Sequence, residues 1–163
     1  MLEHVVRRMQ RVGDHCSQAE IECVVATTDL PEDEITVACC DSLGVRWVRG
    51  SADDVLSRYL AATADMSDED LVIRATADNP IYCERRTAEL IAYHVERGND
   101  YTYLRDLSHG VPEIMSVAAL RSAKDTTNAY CREHVTPYLR QKGLTLRVEE
   151  LSPMWRGVRP EIR

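Results

Sequence analysis

The chain has 163 residues, of which 44% are hydrophobic and 29% charged, with only 7 Gly and 6 Pro. This balance is typical of a globular protein, and the length predicts one domain over residues 1–163. The net charge of -7 disfavours nucleic acid and membrane surfaces as partners, because both attract basic faces. The sequence contains no apolar run of about 18 residues and no signal peptide, so we expect a cytoplasmic protein.

Six cysteines are spread along the chain without a CxxC pair or a compact, even spacing. This spacing favours neither a zinc site nor a disulfide framework. We therefore expect reduced thiols, most of them buried.

The first hundred residues alternate between helix and strand patterns. Apolar residues at helical spacing predict an opening helix over residues 2–12, and the β-branched run at 21–29 predicts a strand buried on both faces. The later elements are a helix from Pro31 to a stop at Gly44, a strand at 45–48, a helix at 53–64, a strand at 71–76, a helix at 84–97 that stops at Gly98, and a strand at 101–104. This alternation predicts an α/β fold with three layers and a mainly parallel sheet.

The remainder of the chain is less regular. It predicts a strand at 113–117, helices at 117–124 and 130–141, and a strand at 144–151. The pattern leaves open whether this last strand runs antiparallel to the others. The last residues, 152–163, look like a loop that enters a further strand. Because the chain opens in a helix with no strand before it, we expect both ends to be incomplete.

The loop after the first strand contains the sequence ATTDLPED. In an open parallel sheet, ligands bind at the carboxyl ends of the strands, which makes Thr28 and Asp29 candidate binding residues. The alternative is structural: Asp29 or Asp33 caps the helix that follows.

The loop after the second strand contains Gly50, Ser51 and Asp53. Glycine permits close approach of the backbone, and a helix start with small residues can receive a polar ligand. Two acidic residues in this loop disfavour phosphate and favour a sugar hydroxyl or the edge of a base. The alternative is capping by Ser51 or Asp53.

The loop after the third strand has the sequence IRATADNPIY, with Arg74 and Asp78. A carboxylate at the end of a central strand is a plausible Mg²⁺ ligand, since magnesium prefers hard oxygen donors and often combines one or two carboxylates with substrate phosphates. The alternative is a turn in which Asp78 or Asn79 bonds its own backbone.

Two later stretches add candidates. The sequence SHGVPEIMS carries Glu113, a second acidic group that we expect near the site, and YCREHVTPY carries Arg132 and His134. A single histidine in a helix is more often structural than catalytic, but His134 has charged neighbours.

Four motifs, VVATTD, GS-DDVL-RY, IR-T-D-P and REHVTPY, occur in this order. Together they resemble the spore coat polysaccharide cytidylyltransferases, which are related to the acylneuraminate and KDO cytidylyltransferases, and the resemblance runs from Met1 to about Glu150. It implies a nucleotide-diphospho-sugar transferase-like fold. It also implies an enzyme of surface polysaccharide biosynthesis that transfers CMP from CTP to an acidic sugar and releases pyrophosphate, with Mg²⁺ as cofactor and a homodimer as the expected assembly.

The resemblance implies a role for each candidate. Asp78 is expected to hold Mg²⁺ on the triphosphate, and Arg74 is expected to steady the same loop. The residues expected near the nucleotide are Thr28, Asp29, Gly50, Ser51 and Asp53. The residues expected toward the acceptor sugar are Glu113, Arg132 and His134.

The chain also departs from the family pattern. Family members begin with a strand and a triphosphate-binding loop resembling A-R-x-G-S-x-R-x-P-x-K, whereas Met1 corresponds to the helix after that loop. We therefore expect an N-terminally truncated chain, and loss of the loop argues against transfer by this chain alone. The alternatives are a catalytically inactive nucleotide- or sugar-binding module, and a nucleotide-sugar glycosyltransferase, which commonly carries an Asp-x-Asp motif where this chain has Asp78-Asn79-Pro80.

Overall fold

The computed structural model describes residues 1–17, 19–107, 109–141 and 144–152. The helices are α1 (Leu2–Gln10), α2 (Glu34–Leu43), α3 (Val55–Ala62), α4 (Glu84–Arg97), α5 (Val117–Ser122) and α6 (Ala129–His134). The strands are β1 (Val24–Thr28), β2 (Arg46–Gly50), β3 (Leu71–Arg74), β4 (Tyr101–Leu104), β5 (Glu113–Ser116) and β6 (Val148–Leu151). The predicted α/β fold is confirmed. The strand predicted beyond residue 152 falls outside the described residues.

Two helices end at the glycines that the sequence predicts as stops. Gly44 follows α2 with a φ of 65°, and Gly98 follows α4 with a φ of 60°. Both angles lie in the left-handed region, which glycine adopts without a steric penalty from a Cβ atom. These stops fix where β2 and β4 begin.

The helix predicted at 130–141 is shorter than expected. It ends at His134, and Val135 turns the chain with a φ of 66°. Pro137 explains the break, because proline has no amide hydrogen and disfavours helical backbone in the residue before it. A short 3-10 helix over Tyr138–Arg140 follows.

The strands form two separate sheets within the described residues. β1 and β2 pair in parallel, and the second sheet has the order β3-β5-β4-β6. In this sheet β5 is antiparallel to β3 and β4, whereas β6 is parallel to β4, so the antiparallel direction considered for residues 144–151 was wrong. The short link from β4 to β5 reverses the chain, and the long link from β5 to β6 crosses a face of the sheet.

Side chains of the second sheet face two hydrophobic clusters. Val72, Tyr101 and Met115 lie side by side on three strands and join a cluster with α3 and α5. Ile73 and Ile114 face the other way and join a cluster with α1 and α4. Since successive side chains of a strand point to opposite faces, the sheet lies between two helical layers, as predicted.

A groove of about 810 Å³ separates the two sheets. β1 forms one wall and β3 the other, while α1 and α3 cover it from opposite sides. Its lining is mainly apolar and includes Val5, Val24, Tyr59 and Ile73.

The cysteines are all free thiols, in agreement with the sequence analysis. The expectation that most of them are buried was wrong: only Cys40 and Cys131 are buried, and Cys83 is exposed. Cys83 precedes the first turn of α4, where the chain enters the helix from the surface. Among the described residues, no helix has the length and apolar character needed to cross a membrane.

Candidate functional site at the carboxyl edge

The loops after β1, β2 and β3 lie at one edge of the molecule. β1 and β2 are parallel. Arg46, at the start of β2, donates a 2.7 Å hydrogen bond to the carbonyl of Ala62, the last residue of α3. α3 therefore runs back along β2, and β3 starts at Leu71 after a short turn. The three strands thus share a direction, and we call residues 28–33, 49–54 and 74–80 the carboxyl edge.

The first loop is held in shape by hydrogen bonds to the Asp33 carboxylate. This carboxylate accepts hydrogen bonds from the Thr27 hydroxyl (3.0 Å), the Thr28 amide (3.1 Å) and the Thr28 hydroxyl. It makes no side-chain capping bond to an α2 amide, so the capping alternative does not describe it. Asp29 is exposed, and its amide donates to the carbonyl of Gly50 (2.9 Å), which joins the first loop to the second.

The hydrogen bonds to Asp33 also set its charge. The Thr28 hydroxyl, the Thr28 amide and the Thr27 hydroxyl hold the pKa of Asp33 below its usual value, because they favour the ionised form. The carboxylate is therefore ionised at neutral pH and fixes the shape of the first loop.

Gly50 lets the end of β2 approach α3. A Cβ atom at this position would lie 3.0 Å from Cγ of Arg58, which is closer than nearly all real contacts. Arg58 in turn donates to the carbonyl of Ala26 in β1 (3.3 Å). Glycine at position 50 thus permits a contact that links α3 to both strands of the first sheet.

The second loop caps α3. Asp54 accepts a hydrogen bond from the Ser57 amide (3.1 Å), and the Ser51 hydroxyl accepts one from the Asp54 amide (3.2 Å). The helix starts at Val55 instead of the predicted Asp53, because Asp54 is the capping residue. Asp53 is exposed, so its carboxylate faces solvent at the edge.

The third loop is a tight turn with an exposed carboxylate. The Asn79 amide donates to the carbonyl of Thr76 (3.1 Å), and the Asn79 side chain accepts from the Ile81 amide (3.5 Å). The turn that was considered as an alternative is therefore present, formed by Asn79. Asp78 lies within it and is exposed at the carboxyl edge.

Glu113 is the centre of a buried polar cluster. It is 5% exposed and accepts hydrogen bonds from the Tyr101 hydroxyl (2.8 Å), from Arg74 (3.4 Å) and from Arg140. The Arg140 guanidinium also lies 4.1 Å from the centre of the Tyr103 ring. The cluster joins β3, β4 and β5, with Arg74 and Glu113 at the carboxyl end of β3 and Tyr101 at the start of β4. The Glu113 carboxylate is therefore already bonded by side chains of its own chain.

Arg132 contacts the second loop. Its Nε donates to the Asp54 carboxylate (3.0 Å), and its guanidinium also bonds the carbonyl of Thr126 (2.9 Å). Burial raises the pKa of Asp54, but hydrogen bonds from Arg132 and from Ser57 outweigh it, so the pKa lies below its usual value. Arg132 therefore ties α6 to the start of α3.

His134 lies at the end of α6. Its side chain is exposed, and the ring packs edge-on against Tyr130 with centroids 4.4 Å apart. The contacts of Arg132 and His134 thus differ from those of Glu113, which bonds Arg74 and Arg140. The three residues predicted near the acceptor sugar do not form one hydrogen-bonded group.

The exposed carboxylates of the carboxyl edge, which the structure describes in full, do not form a cluster that could hold a magnesium ion by itself. Within the described ranges, no group of three or more His, Cys, Asp or Glu side chains is arranged to hold a metal ion. Asp78 is exposed, and Mg²⁺ often binds one or two carboxylates together with substrate phosphates and water. An exposed carboxylate such as Asp78 is a ligand of the type that magnesium uses.

Sequence reasoning missed several residues that shape the site. Asp33 was considered only as a helix cap, and Asp54 stands next to the predicted Asp53. An aspartate ahead of an apolar helical run is a capping signal, but Asp53 and Asp54 fit it equally. Tyr101 and Arg140 give no local signal, because they meet Glu113 only when distant segments pack together.

Comparisons with known proteins agree with this architecture. The model of the cytidylyltransferase family matches residues 1–158. An uncharacterised protein of Methanocaldococcus jannaschii is 33% identical over 155 residues, which cover 94% of this chain and 61% of that protein. The spore coat polysaccharide biosynthesis protein SpsF of Bacillus subtilis is 29% identical over 170 residues, which cover all of this chain and 68% of SpsF.

A solved structure gives the same picture of the fold. A cytidylyltransferase from Leptospira borgpetersenii superimposes with a TM-score of 0.72 at 24% identity, covering 93% of this chain and 64% of that one. The chain thus spans about two thirds of the length of these similar proteins.

Proposed function

The chain belongs to the cytidylyltransferase family, and on that premise we propose that its protein transfers CMP from CTP to an acidic sugar in polysaccharide biosynthesis. The observation that carries the proposal is the position of three polar loops at the carboxyl edge: Asp29 bonds Gly50, and Asp78 is exposed across the groove. Open α/β sheets bind ligands at this edge. The similarity to SpsF supports the link with polysaccharide biosynthesis.

In the proposed reaction, an oxygen of the sugar forms a bond to the α-phosphorus of CTP. The bond from that phosphorus to the bridging oxygen of the β-phosphate breaks, and pyrophosphate leaves with the electron pair, while the hydroxyl proton passes to water. Such transfers depend mainly on positioning and on neutralising the charge that develops. We assign the Mg²⁺ ligand to Asp78, and the ion, when bound, neutralises charge on the triphosphate.

The nucleotide side of the site is proposed at the first two loops. Thr28, Asp29 and Gly50 lie where β1 and β2 end, and Ser51 and Asp53 stand at the start of α3. Thr28 and Ser51 already bond within their loops, so they act by fixing loop shape. The exposed carboxylates of Asp29 and Asp53 suit hydroxyl or amino groups of cytidine better than phosphates.

The acceptor side is proposed near the Glu113 cluster and α6. Arg74 and Glu113 bond each other, and Arg132 bonds Asp54, so these three position neighbouring segments. His134 is exposed, so among the three residues predicted near the acceptor sugar it is the one whose side chain faces solvent. A homodimer and a cytoplasmic location remain predictions from the sequence.

The test is pyrophosphate release by the whole protein, supplied with CTP, Mg²⁺ and a panel of acidic sugars. We expect the Asp78→Asn variant to lose at least about tenfold in rate, equivalent to about 1.4 kcal/mol. Asp65→Asn is the matched control, because Asp65 is an exposed carboxylate that pairs with Arg46 at the opposite end of β2.

Calorimetry with CTP and Mg²⁺ separates the alternatives. Binding of CTP without pyrophosphate release favours an inactive binding module. Absence of CTP binding contradicts both that module and the transferase. Release of pyrophosphate that is equally fast in both variants contradicts the role of Asp78.

A further inference from the structure

Arg140 is held in a fixed orientation by the polar cluster around Glu113. Its Nε donates to the Tyr101 hydroxyl (3.1 Å), and its Nη2 donates to the same hydroxyl (2.8 Å) and to the Glu113 carboxylate. The guanidinium also covers the ring of Tyr103, whose hydroxyl donates to Glu150. Because Tyr101 and Glu113 are both buried, these contacts fix the guanidinium before a ligand binds.

The remaining nitrogen of the guanidinium, Nη1, is free for a ligand. In the part of the chain that the structure describes, Nη1 of Arg140 donates no hydrogen bond. The Arg140 side chain is 41% exposed, although its partner Glu113 is buried. A guanidinium group has five N–H donors and no acceptor, so Nη1 presents two unused donors to the solvent. These donors suit an anion.

Positive charge is in excess around Arg140. Glu113 accepts from both Arg74 and Arg140, so the first of them already neutralises the buried carboxylate. The neighbouring pair of Arg105 and Glu150 balances itself. These three guanidinium groups and two carboxylates leave one positive charge uncompensated, in a chain whose net charge is -7. Local positive charge of this kind raises the local concentration of an anionic substrate.

Arg140 lies beside the carboxyl edge. The register of β4 and β5 places Tyr103 opposite Glu113, and Glu113 pairs with Arg74 of β3. Arg74 begins the third loop of the edge, which carries Asp78. Because β5 separates β3 from β4, these two strands lie two strand spacings apart, or about 10 Å. Arg140 therefore stands on the side of the site where the acceptor sugar is proposed, away from the loops assigned to the nucleotide.

We propose that Arg140 binds the carboxylate of the acidic acceptor sugar through Nη1. This inference rests on the proposed function and assigns the residue that selects an acidic sugar over a neutral one. A hydrogen bond between a guanidinium and a carboxylate is charge-assisted, and it is roughly twice as strong as a bond between neutral groups. Because Tyr103 and Glu113 already hold the guanidinium, little conformational entropy is lost when the carboxylate binds.

The test measures the binding of acidic sugars to the whole protein by calorimetry. The probes are N-acetylneuraminate, KDO and glucuronate. Each probe is compared with its methyl ester, which is the same sugar without the negative charge. CTP is present and Mg²⁺ is removed with EDTA, so that binding is measured without transfer.

The variant is Arg140→Lys. Lysine keeps the positive charge beside Glu113 but lacks the planar group that carries Nη1. The matched control is Arg97→Lys. Arg97 also lies over a tyrosine ring, that of Tyr93, and pairs with Glu149 (3.9 Å), but it belongs to α4 on the opposite face of the second sheet.

We expect the wild type to bind at least one acid about tenfold more tightly than its ester, the difference that one charge-assisted hydrogen bond produces. In Arg140→Lys this preference should fall below about threefold through weaker binding of the acid, while the ester and CTP bind as before. Arg97→Lys should keep the preference of the wild type. If Arg140→Lys does not fold, the NMR signals of the Arg140 side chain in the wild type should shift with the acid but not with its ester.

Three results would overturn the proposal. The first is equal affinity of the wild type for every acid and its ester. The second is an equal loss of acid and ester binding in Arg140→Lys, which indicates a structural role. The third is a loss of CTP binding in Arg140→Lys as large as the loss of acid binding, which identifies a phosphate as the ligand.

Pyrophosphate release in the presence of Mg²⁺ separates this proposal from the proposed function. A preference for the acid that depends on Arg140, without release, supports the carboxylate site and contradicts the transfer reaction. Release by a protein whose preference is unchanged in Arg140→Lys supports the transfer reaction and contradicts the carboxylate site.

Discussion

Replacement of Glu113 by glutamine tests the buried cluster that joins β3, β4 and β5. The side chain keeps its shape in Glu113→Gln, but the carboxylate that accepts from Tyr101, Arg74 and Arg140 becomes neutral. A bond to a charged group contributes about 1 kcal/mol more than a neutral one. Three such bonds give about 3 kcal/mol, and partial exposure of Arg140 (41%) lowers the expected loss to about 2 to 3 kcal/mol.

The assay is urea unfolding of the wild type, Glu113→Gln and a matched control, Glu150→Gln. Glu150 also accepts from a tyrosine, Tyr103, and an arginine, Arg105, but its side chain is 33% exposed. We expect the control to lose much less stability than Glu113→Gln, since solvent screens exposed pairs. Equal losses in the two variants, or a loss below about 0.5 kcal/mol for Glu113→Gln, would refute the reasoning.

Three further predictions follow from pKa values and ion pairs. Burial lowers the pKa of His94 to about 4. The free energy of unfolding, measured with urea, should therefore fall between pH 7.5 and pH 4.5 by about 2 to 3 kcal/mol less in His94→Leu than in the wild type. Burial raises the pKa of Cys23 to about 11, so mass spectrometry after brief alkylation should find exposed Cys83 modified before Cys23. A double-mutant cycle of Asp54→Asn and Arg132→Ala, measured by thermal unfolding, should give a coupling of about 1 to 2 kcal/mol.

The sign of the His94 prediction comes from the two states of the chain. Between pH 6.5 and about 4, the unfolded chain binds a proton that the folded chain does not, so stability falls as the pH falls. An unchanged pH dependence in His94→Leu would contradict the buried neutral ring. Faster labelling of Cys23 than of Cys83 would contradict the raised pKa, and a coupling near zero would show that Arg132 and Asp54 act independently.

Local sequence patterns predicted the helix ends and the strands, because both depend on residues that are close together in the sequence. Gly44 and Gly98 mark helix ends because glycine, unlike residues with a Cβ atom, adopts the left-handed backbone conformation without a steric penalty. The strands that precede the three loops were found from their apolar runs, and their shared direction follows from the helices between them. Thr28, Gly50 and Asp78 could therefore be assigned to one edge before the structure was known.

Long-range contacts were beyond the reach of these signals. The direction of β6 depends on how the chain crosses the sheet between Ser116 and Val148, which no local pattern encodes. Glu113 was predicted to face a ligand, but it bonds Arg140, which is 27 positions away in the sequence. Adjacent carboxylates such as Asp53 and Asp54 have the same helical propensity, and only packing against Arg132 decides which of them caps α3.

The most direct test of the account is the location of bound CTP on the chain. Addition of CTP and Mg²⁺ to isotopically labelled protein should change the amide NMR signals of Thr28, Gly50 and Asp78, at the carboxyl ends of β1, β2 and β3. Val148, at the start of β6 on the far side of the second sheet, should keep its signal position. Signal changes confined to residues away from the carboxyl edge, or no change at millimolar CTP, would contradict a nucleotide site at this edge.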